Sequence, residues 1–199
     1  MNEPSRRRGR PRAFDTDKAL KTIIDVFRKQ GFDAASLDDI SAATGLSRPS
    51  LYAAFGNKSA LYLAAIEAFS ANVTKQAATR LHQAESVETV LKNFFDALVD
   101  IYAPEEGSGL GCLIWGTAPA AVHAKEVQER LAAALSELDA LFAGAITSDG
   151  ADEKSRAAAE LLANTVIGVS TRARAGTEPA VIRAHTDRVA KFIAAALDA

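Results

Sequence analysis

The chain has 199 residues, of which 48% are hydrophobic, and a formal net charge of −2. This length and composition allow one large or two small domains, and no run approaches the ~18 apolar residues of a membrane span. A single cysteine excludes an intrachain disulfide and is typical of a reducing, cytoplasmic compartment.

The charge is divided unevenly along the chain. Residues 1–12 contain five arginines against one acid, and such a stretch cannot bury a core, so we expect a disordered arm and not a signal peptide. Residues 1–58 carry 11 basic and 7 acidic side chains, net +4, whereas residues 59–199 carry 12 and 18, net −6. The two parts are therefore expected to have different partners.

The first predicted helix lies in residues 14–32 and is amphipathic. Ile23 and Phe27 fall on one face at helical spacing, and Gly31 marks the end of the helix. This pattern predicts a helix that packs its apolar face against the segment that follows.

Two short helices joined by a tight turn are predicted in residues 36–58. Ser36 and Asp39 form an S-x-x-D capping arrangement at the start of the first. Gly45 suits the left-handed turn that ends it, and Ser47 is placed to cap the second. The apolar side of the first short helix is predicted to consist of Leu37, Ile40 and Ala43.

The second short helix is predicted to expose one side to solvent, since Leu51 and Phe55 face inward and leave a largely polar outer side. A helix that docks in the major groove of DNA needs this layout, and Arg48 can donate two hydrogen bonds to a guanine edge. The residues of this segment that are predicted to contact DNA are Ser47, Arg48, Pro49, Ser50, Tyr52 and, just beyond the helix, Lys58. An ordinary pair of packing helices is the alternative that the short motif alone leaves open.

With its flanking helices, the motif resembles the N-terminal domain of the tetracycline-repressor (TetR/AcrR) family. The residues that carry the resemblance, between Phe14 and Phe69, are Gly31-Phe32, Ser36-Leu37, Ile40, Ala43, Gly45-Leu46-Ser47, Leu51-Tyr52, Phe55, Lys58 and Leu61. The resemblance implies an all-α fold of about nine helices: a three-helix helix-turn-helix DNA-binding domain at 13–58, then a helical ligand-binding and dimerisation domain at 59–199. It also implies that Ser36 and Lys58 grip phosphate.

Because of two departures from the family pattern, we expect the base contacts to be concentrated on Ser47, Arg48, Ser50 and Tyr52. Ala53 and Ala54 stand where this family often has aromatic residues or histidine, and Pro49 stands where it often has glycine. In the arm, Arg8-Gly9-Arg10-Pro11 resembles the core of an AT-hook, so Arg8 and Arg10 are predicted to enter a narrow minor groove. The alternative is a solvated tail that attracts DNA without reading it.

Helical periodicity dominates the remainder, and the predicted helices are 58–83, 86–103, 110–123, 124–146, 152–175 and 178–197. The last two are rich in alanine and other small residues, which allow helices to approach closely. The resemblance implies that these two helices pair across a two-fold axis in a homodimer. A monomer that uses the small residues for internal packing is the alternative.

The middle helices are candidates for a ligand pocket, because apolar pockets between bundle helices are common binding sites. The candidates around it are Phe94, Phe95, Leu98, Tyr102, Cys112, Leu113 and Trp115. The five predicted to line the pocket are Phe95, Leu98, Tyr102, Cys112 and Trp115. Each could equally be plain core, and Cys112 could be a redox switch or inert packing. No metal-ligand spacing, P-loop, nucleophile motif or dinucleotide fingerprint is present, so no metal, cofactor or enzymatic activity is predicted.

These features predict a cytoplasmic DNA-binding transcriptional regulator, associated with the nucleoid when bound. We expect a repressor that a small-molecule effector releases from a palindromic operator on double-stranded DNA. The alternative from another class is an architectural DNA-binding protein that uses the arginine-rich arm and needs no ligand.

Overall fold

The computed structural model of the chain describes residues 15–80, 86–105, 109–146 and 153–198. Within these ranges there are nine α-helices, one 3₁₀ segment and no strand, which confirms the predicted all-α fold. The helices are α1 (Thr16–Ala34), α2 (Leu37–Thr44), α3 (Arg48–Phe55), α4 (Lys58–Arg80), α5 (Val87–Tyr102), α6 (Leu113–Thr117), α7 (Lys125–Ile146), α8 (Glu153–Arg174) and α9 (Pro179–Asp198). No helix in the described ranges is long and apolar enough to cross a bilayer.

Helices α1, α2 and α3 form what we call the N-terminal unit. Ile23, Phe27 and Ile40 are completely buried between them. The backbone leaves the helical conformation at Gly31, with φ of 82°, which turns Phe32 towards α4. There the ring of Tyr62 lies 4.9 Å from that of Phe27, so α4 closes the core of the unit.

Helices α4 to α9 form what we call the C-terminal bundle. Helix α5 lies at its centre and packs against α4, α8 and α9. Arg183 of α9 ties the bundle together, since its guanidinium donates to Asp100 and, at 2.9 Å, to Asp96 of α5. Apolar side chains of the unit and the bundle form one continuous core.

Two sequence-based expectations were wrong in detail. Ala43 is exposed, so the buried side of α2 is supplied by Ile40 with Leu37 partly buried. The predicted helix 110–123 is a five-residue α6 followed by a 3₁₀ segment, Ala118–Ala121. Gly111 adopts a positive φ of 65° before α6, and a proline in the first turn of the 3₁₀ segment lacks the amide hydrogen that a continuing helix would use.

Candidate functional site

The predicted capping box at the start of α2 is present. The hydroxyl of Ser36 accepts the Asp39 amide at 3.1 Å, and the Asp39 carboxylate accepts the Ser36 amide at 2.9 Å. Hydrogen bonds from Ser36 hold the pKa of Asp39 below its ordinary value. The Ser36 hydroxyl is thus engaged in fixing the start of α2, and it lies exposed on the surface.

The turn between α2 and α3 is fixed by local hydrogen bonds. Gly45 takes the predicted left-handed conformation, with φ of 71°. The Ser41 hydroxyl donates to the carbonyl of Leu46 at 2.5 Å, and the amide of Leu46 donates to the Thr44 hydroxyl at 3.2 Å. The angle between the two short helices is therefore held by residues within six positions of one another.

Helix α3 presents its outer side to solvent, as the sequence pattern predicts. The hydroxyl of Ser47 caps it by accepting the Ser50 amide at 3.3 Å, and Leu51 anchors its inner side at 1% exposure. Arg48 and Pro49 are exposed, and Tyr52 is 52% exposed. The structure thus brings Ser47, Arg48, Pro49, Ser50 and Tyr52 together on one surface.

Sequence reasoning missed the partner of Arg48. Its guanidinium forms a two-pronged ion pair with Asp38 of α2 through Nε and one terminal nitrogen. This hydrogen bond, together with the charge of Asp38, raises the pKa of Arg48. The donor fork that would face a guanine is therefore occupied by an exposed carboxylate in the chain alone.

Lys58 is also engaged in the free chain. Its ammonium group donates to the carbonyl of Asp33 at 3.0 Å and lies 4.8 Å from the centroid of the Phe32 ring. This places a positive charge beside the end of α1, at the start of α4. Arg8 and Arg10, the two predicted contacts in the arm, lie outside the described residues.

Arg28 of α1 joins the N-terminal unit to the C-terminal bundle. Its guanidinium donates to the carbonyl of Gly111 at 2.6 and 3.0 Å and to that of Ile101 at 3.1 Å, and it stacks 5.0 Å from the centroid of Phe69. From the bundle, Arg174 donates to the carbonyl of Arg28 at 2.6 Å. We call these contacts the arginine joint.

The segment that receives Arg28 is pressed against α8. A Cβ on Gly111 would lie 2.5 Å from the carbonyl oxygen of Ser170, and one on Gly109 would lie 2.6 Å from that of Ala173. The amide of Cys112 donates to the Ser170 hydroxyl at 2.9 Å. The segment therefore links α1, α8 and the interior of the bundle at one place.

A cavity of about 430 Å³, open on one side, lies between α4, α5, α6, α7 and α8, within the range of small-molecule sites. Four of the five predicted pocket residues line it: Leu98, Tyr102, Cys112 and Trp115. Phe95 is fully buried but is not among the lining residues, whereas its neighbour Phe94 is. Helical spacing could not decide which of two adjacent phenylalanines faces the cavity.

Two titratable side chains that line the cavity, Cys112 and Tyr102, are held in their neutral forms. Burial raises the pKa of the Cys112 thiol and of the Tyr102 hydroxyl. A thiol whose pKa is raised has little thiolate at neutral pH and is a poor nucleophile. Cys112 is thus suited to packing and weak hydrogen bonding rather than to covalent chemistry.

The outer faces of α8 and α9 carry exposed apolar side chains. Leu161 of α8 is 49% exposed, and Val181 and Phe192 of α9 are 53% and 66% exposed. Exposed alanines lie three or four residues from them, Ala157 on α8 and Ala184 and Ala195 on α9. Clusters of exposed apolar side chains are typical of protein–protein interfaces.

Comparison with known protein sequences identifies relatives of the N-terminal unit. The family model described as "Bacterial regulatory proteins, tetR family" matches residues 19–65. The chain is 34% identical over 108 residues to the HTH-type transcriptional repressor ComR of Escherichia coli K12, which is 54% of this chain and 51% of ComR. It is 43% identical over 58 residues, 29% of each chain, to the repressor BdcR of the same organism. The chain thus spans about half or less of the curated relatives it matches.

Solved structures resemble nearly the whole chain. A cysteine mutant of the TetR family transcriptional regulator CifR, complexed with 26-bp double-strand operator DNA, has a TM-score of 0.78 at 26% identity, over 92% of this chain and 98% of that one. SCO4454, a TetR-family regulator from Streptomyces coelicolor, also has a TM-score of 0.78, at 17% identity over 92% of this chain and 96% of that one. At that identity the second likeness concerns the fold alone.

Proposed function

Because the chain belongs to the TetR family of bacterial regulatory proteins, we propose that it is a dimeric DNA-binding transcriptional repressor controlled by a small molecule. The observation that carries the proposal is the outer side of α3, where Arg48 and Tyr52 stand exposed on a capped, anchored helix. The names of ComR and BdcR as repressors support the sign of regulation. These relatives also agree with the expectation that the chain is not an enzyme.

In this proposal α3 is the recognition helix and reads bases in the major groove. Arg48 leaves Asp38 and donates both prongs of its fork to a guanine, while Tyr52 and Ser50 donate to bases or phosphates. Ser36, Ser47 and Lys58 hold the neighbouring phosphates, which set register and orientation without reading sequence. Arg8 and Arg10 of the arm extend the contact into the adjacent minor groove.

The exposed apolar side chains of α8 and α9 support a homodimer in which these helices pack against the same helices of a second protomer. A two-fold dimer presents two copies of α3 to successive major grooves, roughly 34–36 Å apart, so it reads a palindromic operator. Burial of Leu161, Val181 and Phe192 would remove the largest exposed apolar groups of the two helices from water. Sedimentation of the purified protein measures this directly, and a monomer at micromolar concentration would contradict it.

The cavity supports effector control, because one of the helices that line it, α4, connects the N-terminal unit to the C-terminal bundle. Helix α4 lines it and also starts directly after the recognition helix. A ligand that binds one arrangement of α4 better than another shifts the population towards that arrangement, and it can do so only through differential affinity. A changed spacing of the two recognition helices then lowers operator affinity.

The decisive experiment is genome-wide mapping of binding sites, followed by titration of the recovered duplex with purified protein. We expect sites with two-fold symmetry, two protomers per site, and affinity about 10³-fold or more above that for a scrambled duplex. Equal affinity for the recovered and scrambled duplexes would instead support the architectural alternative. Deletion of residues 1–12 should flatten the salt dependence of binding, because fewer phosphate-bound counterions are released.

A further inference from the structure

The cavity is apolar over most of its wall and charged at one end. Its aromatic and aliphatic lining includes Phe94, Trp115 and Val166. Among the described residues that line it, Arg130 and Glu137 are the charged ones, and both come from α7. An occupant that fits this wall therefore has an apolar body and a polar or charged end.

Arg130 is far more buried than the carboxylates it meets. Its side chain is 16% exposed, whereas those of Glu67 and Glu137 are 63% and 66% exposed. Its Nε donates to Glu67 of α4 at 2.5 Å, and a terminal nitrogen donates to Glu137 at the long distance of 3.3 Å. A guanidinium has five N–H donors, so these two contacts leave donors of Arg130 for an occupant of the cavity.

The difference in burial decides which member of the ion pair a ligand can replace. A mostly buried cation must keep a partner, since leaving it unpaired is costly, whereas an exposed carboxylate returns to water at little cost. A ligand carboxylate that replaces Glu137 would keep Arg130 paired and could bind it with two parallel hydrogen bonds. A ligand amine would have to compete with Arg130 for Glu137 beside a fixed positive charge.

We propose that the cavity takes an apolar monocarboxylate whose carboxylate binds Arg130 and whose body lies against Trp115 and Phe94. This deepens the proposed effector control and rests on it. Glu67 of α4 shares the same guanidinium, so a ligand carboxylate that takes the place of Glu137 with a stronger pair draws charge from the Glu67 contact and weakens this link between α4 and α7. The acidic end of the ligand is thereby coupled to the helix that follows the recognition helix.

The chain contains a single tryptophan, and it lines the cavity, so its fluorescence reports occupancy directly. We would titrate the unmodified full-length protein with octanoate, octan-1-ol and octylamine, which share one tail and differ in the end group. Octanoate should bind at least about tenfold more tightly than octan-1-ol, as a charge-assisted pair replaces a neutral contact. Equal binding of the acid and the alcohol, or tightest binding of the amine, overturns the proposal.

Two variants sharpen this result. Arg130→Met should abolish the preference for octanoate while octan-1-ol binds as before, and Glu137→Gln should tighten octanoate because it removes the competing carboxylate. Glu137 is mostly exposed, so the second variant keeps the test decisive if the first does not fold. Asp139→Asn, which removes an exposed acid from the same helix, is the matched control and should change neither affinity. If octanoate binds more weakly to Glu137→Gln, the assignment of the acid to Arg130 is wrong.

Operator binding in the absence of ligand separates this inference from the proposed function. A protein that binds its mapped operator but shows no preference for octanoate refutes the monocarboxylate and leaves the repressor proposal standing. A protein that binds octanoate through Arg130 but prefers no duplex refutes the repressor proposal alone.

Discussion

The N-terminal unit and the C-terminal bundle use their side chains in opposite ways. The unit acts through what it exposes, since Arg48 and Tyr52 stand on a short helix fixed by caps and turns of neighbouring residues. The bundle acts through a cleft, which is formed by five helices spread over about a hundred residues. A surface made by local structure can be read from a sequence, whereas a cleft made by long-range packing can be read only in part.

The difference implies that substitutions in the two regions should have different effects, on DNA binding in one and on folding in the other. Substitutions on the exposed side of α3 should change DNA binding with little effect on folding, because those side chains are already in water. Substitutions where the bundle packs closely should change folding first. Four measurements test this contrast.

Gly111→Ala should destabilise the protein by about 2–5 kcal/mol, because the new methyl group meets the Ser170 carbonyl and the positive φ disfavours any Cβ. Urea unfolding followed by circular dichroism measures the free energy of unfolding. Gly144→Ala is the matched control: it lies exposed in α7, its Cβ would meet nothing within 4 Å, and it should stabilise by about 0.5–1 kcal/mol. Equal effects of the two changes would mean that the approach to α8 is not tight.

Arg48→Ala should weaken operator binding by roughly 10- to 100-fold, because one bidentate base contact is lost, and leave the unfolding transition unchanged. Fluorescence anisotropy with operator and scrambled duplexes measures both affinities. Lys154→Ala removes an exposed positive charge at the start of α8 and serves as the control for net charge. Equal losses on the two duplexes would show that Arg48 contacts phosphate and reads no base.

Ser36→Ala should cost about 1 kcal/mol of stability through loss of the helix cap. The pKa of Asp39 is lowered by Ser36, so the box stabilises the fold above the ordinary aspartate pKa and loses its effect as the pH falls through the lowered value. Thermal unfolding should therefore show a difference from wild type at pH 7 that shrinks below about pH 4. A difference independent of pH would assign the effect to the hydroxyl alone.

Asp38→Asn should tighten binding to the operator by a few-fold and to scrambled DNA by less, since Arg48 no longer has to leave a carboxylate to reach a base, while one repulsion with phosphate disappears on both. The same anisotropy titrations measure it, with Asp139→Asn on α7 as the control for the lost charge. Weaker binding would show instead that Asp38 orients the arginine for DNA.

The sequence predicted the local features of the N-terminal unit because each rests on residues close together. Ser36 with Asp39, Gly45 and Ser47 all adopt the expected capping or turn geometry. The ion pair of Arg48 with Asp38 was missed, although the two residues are ten apart, because the angle between α2 and α3 decides whether they meet.

In the bundle, the helices could be located from the sequence, but their contacts could not. Four of the five residues predicted to line a pocket do border the cavity, yet Phe94 and Phe95 could not be distinguished by spacing. Arg130 was missed entirely, since nothing near it on α7 marks a charge that points inward. The segment before α6 was wrongly predicted to be helical. Its conformation depends on the close approach of Gly111 to the backbone of α8, about sixty residues away in the sequence.

The arginine joint has a consequence for engineering. Arg28 belongs to the first helix of the unit, but the carbonyl groups that satisfy its guanidinium, Ile101 and Gly111, belong to the bundle. A chimera that grafts this unit onto a foreign bundle by cutting near residue 58 would leave that cation inside without its acceptors. Interchangeable modules in this fold must therefore be exchanged with both sides of the joint, including the loop before α6 and Arg174.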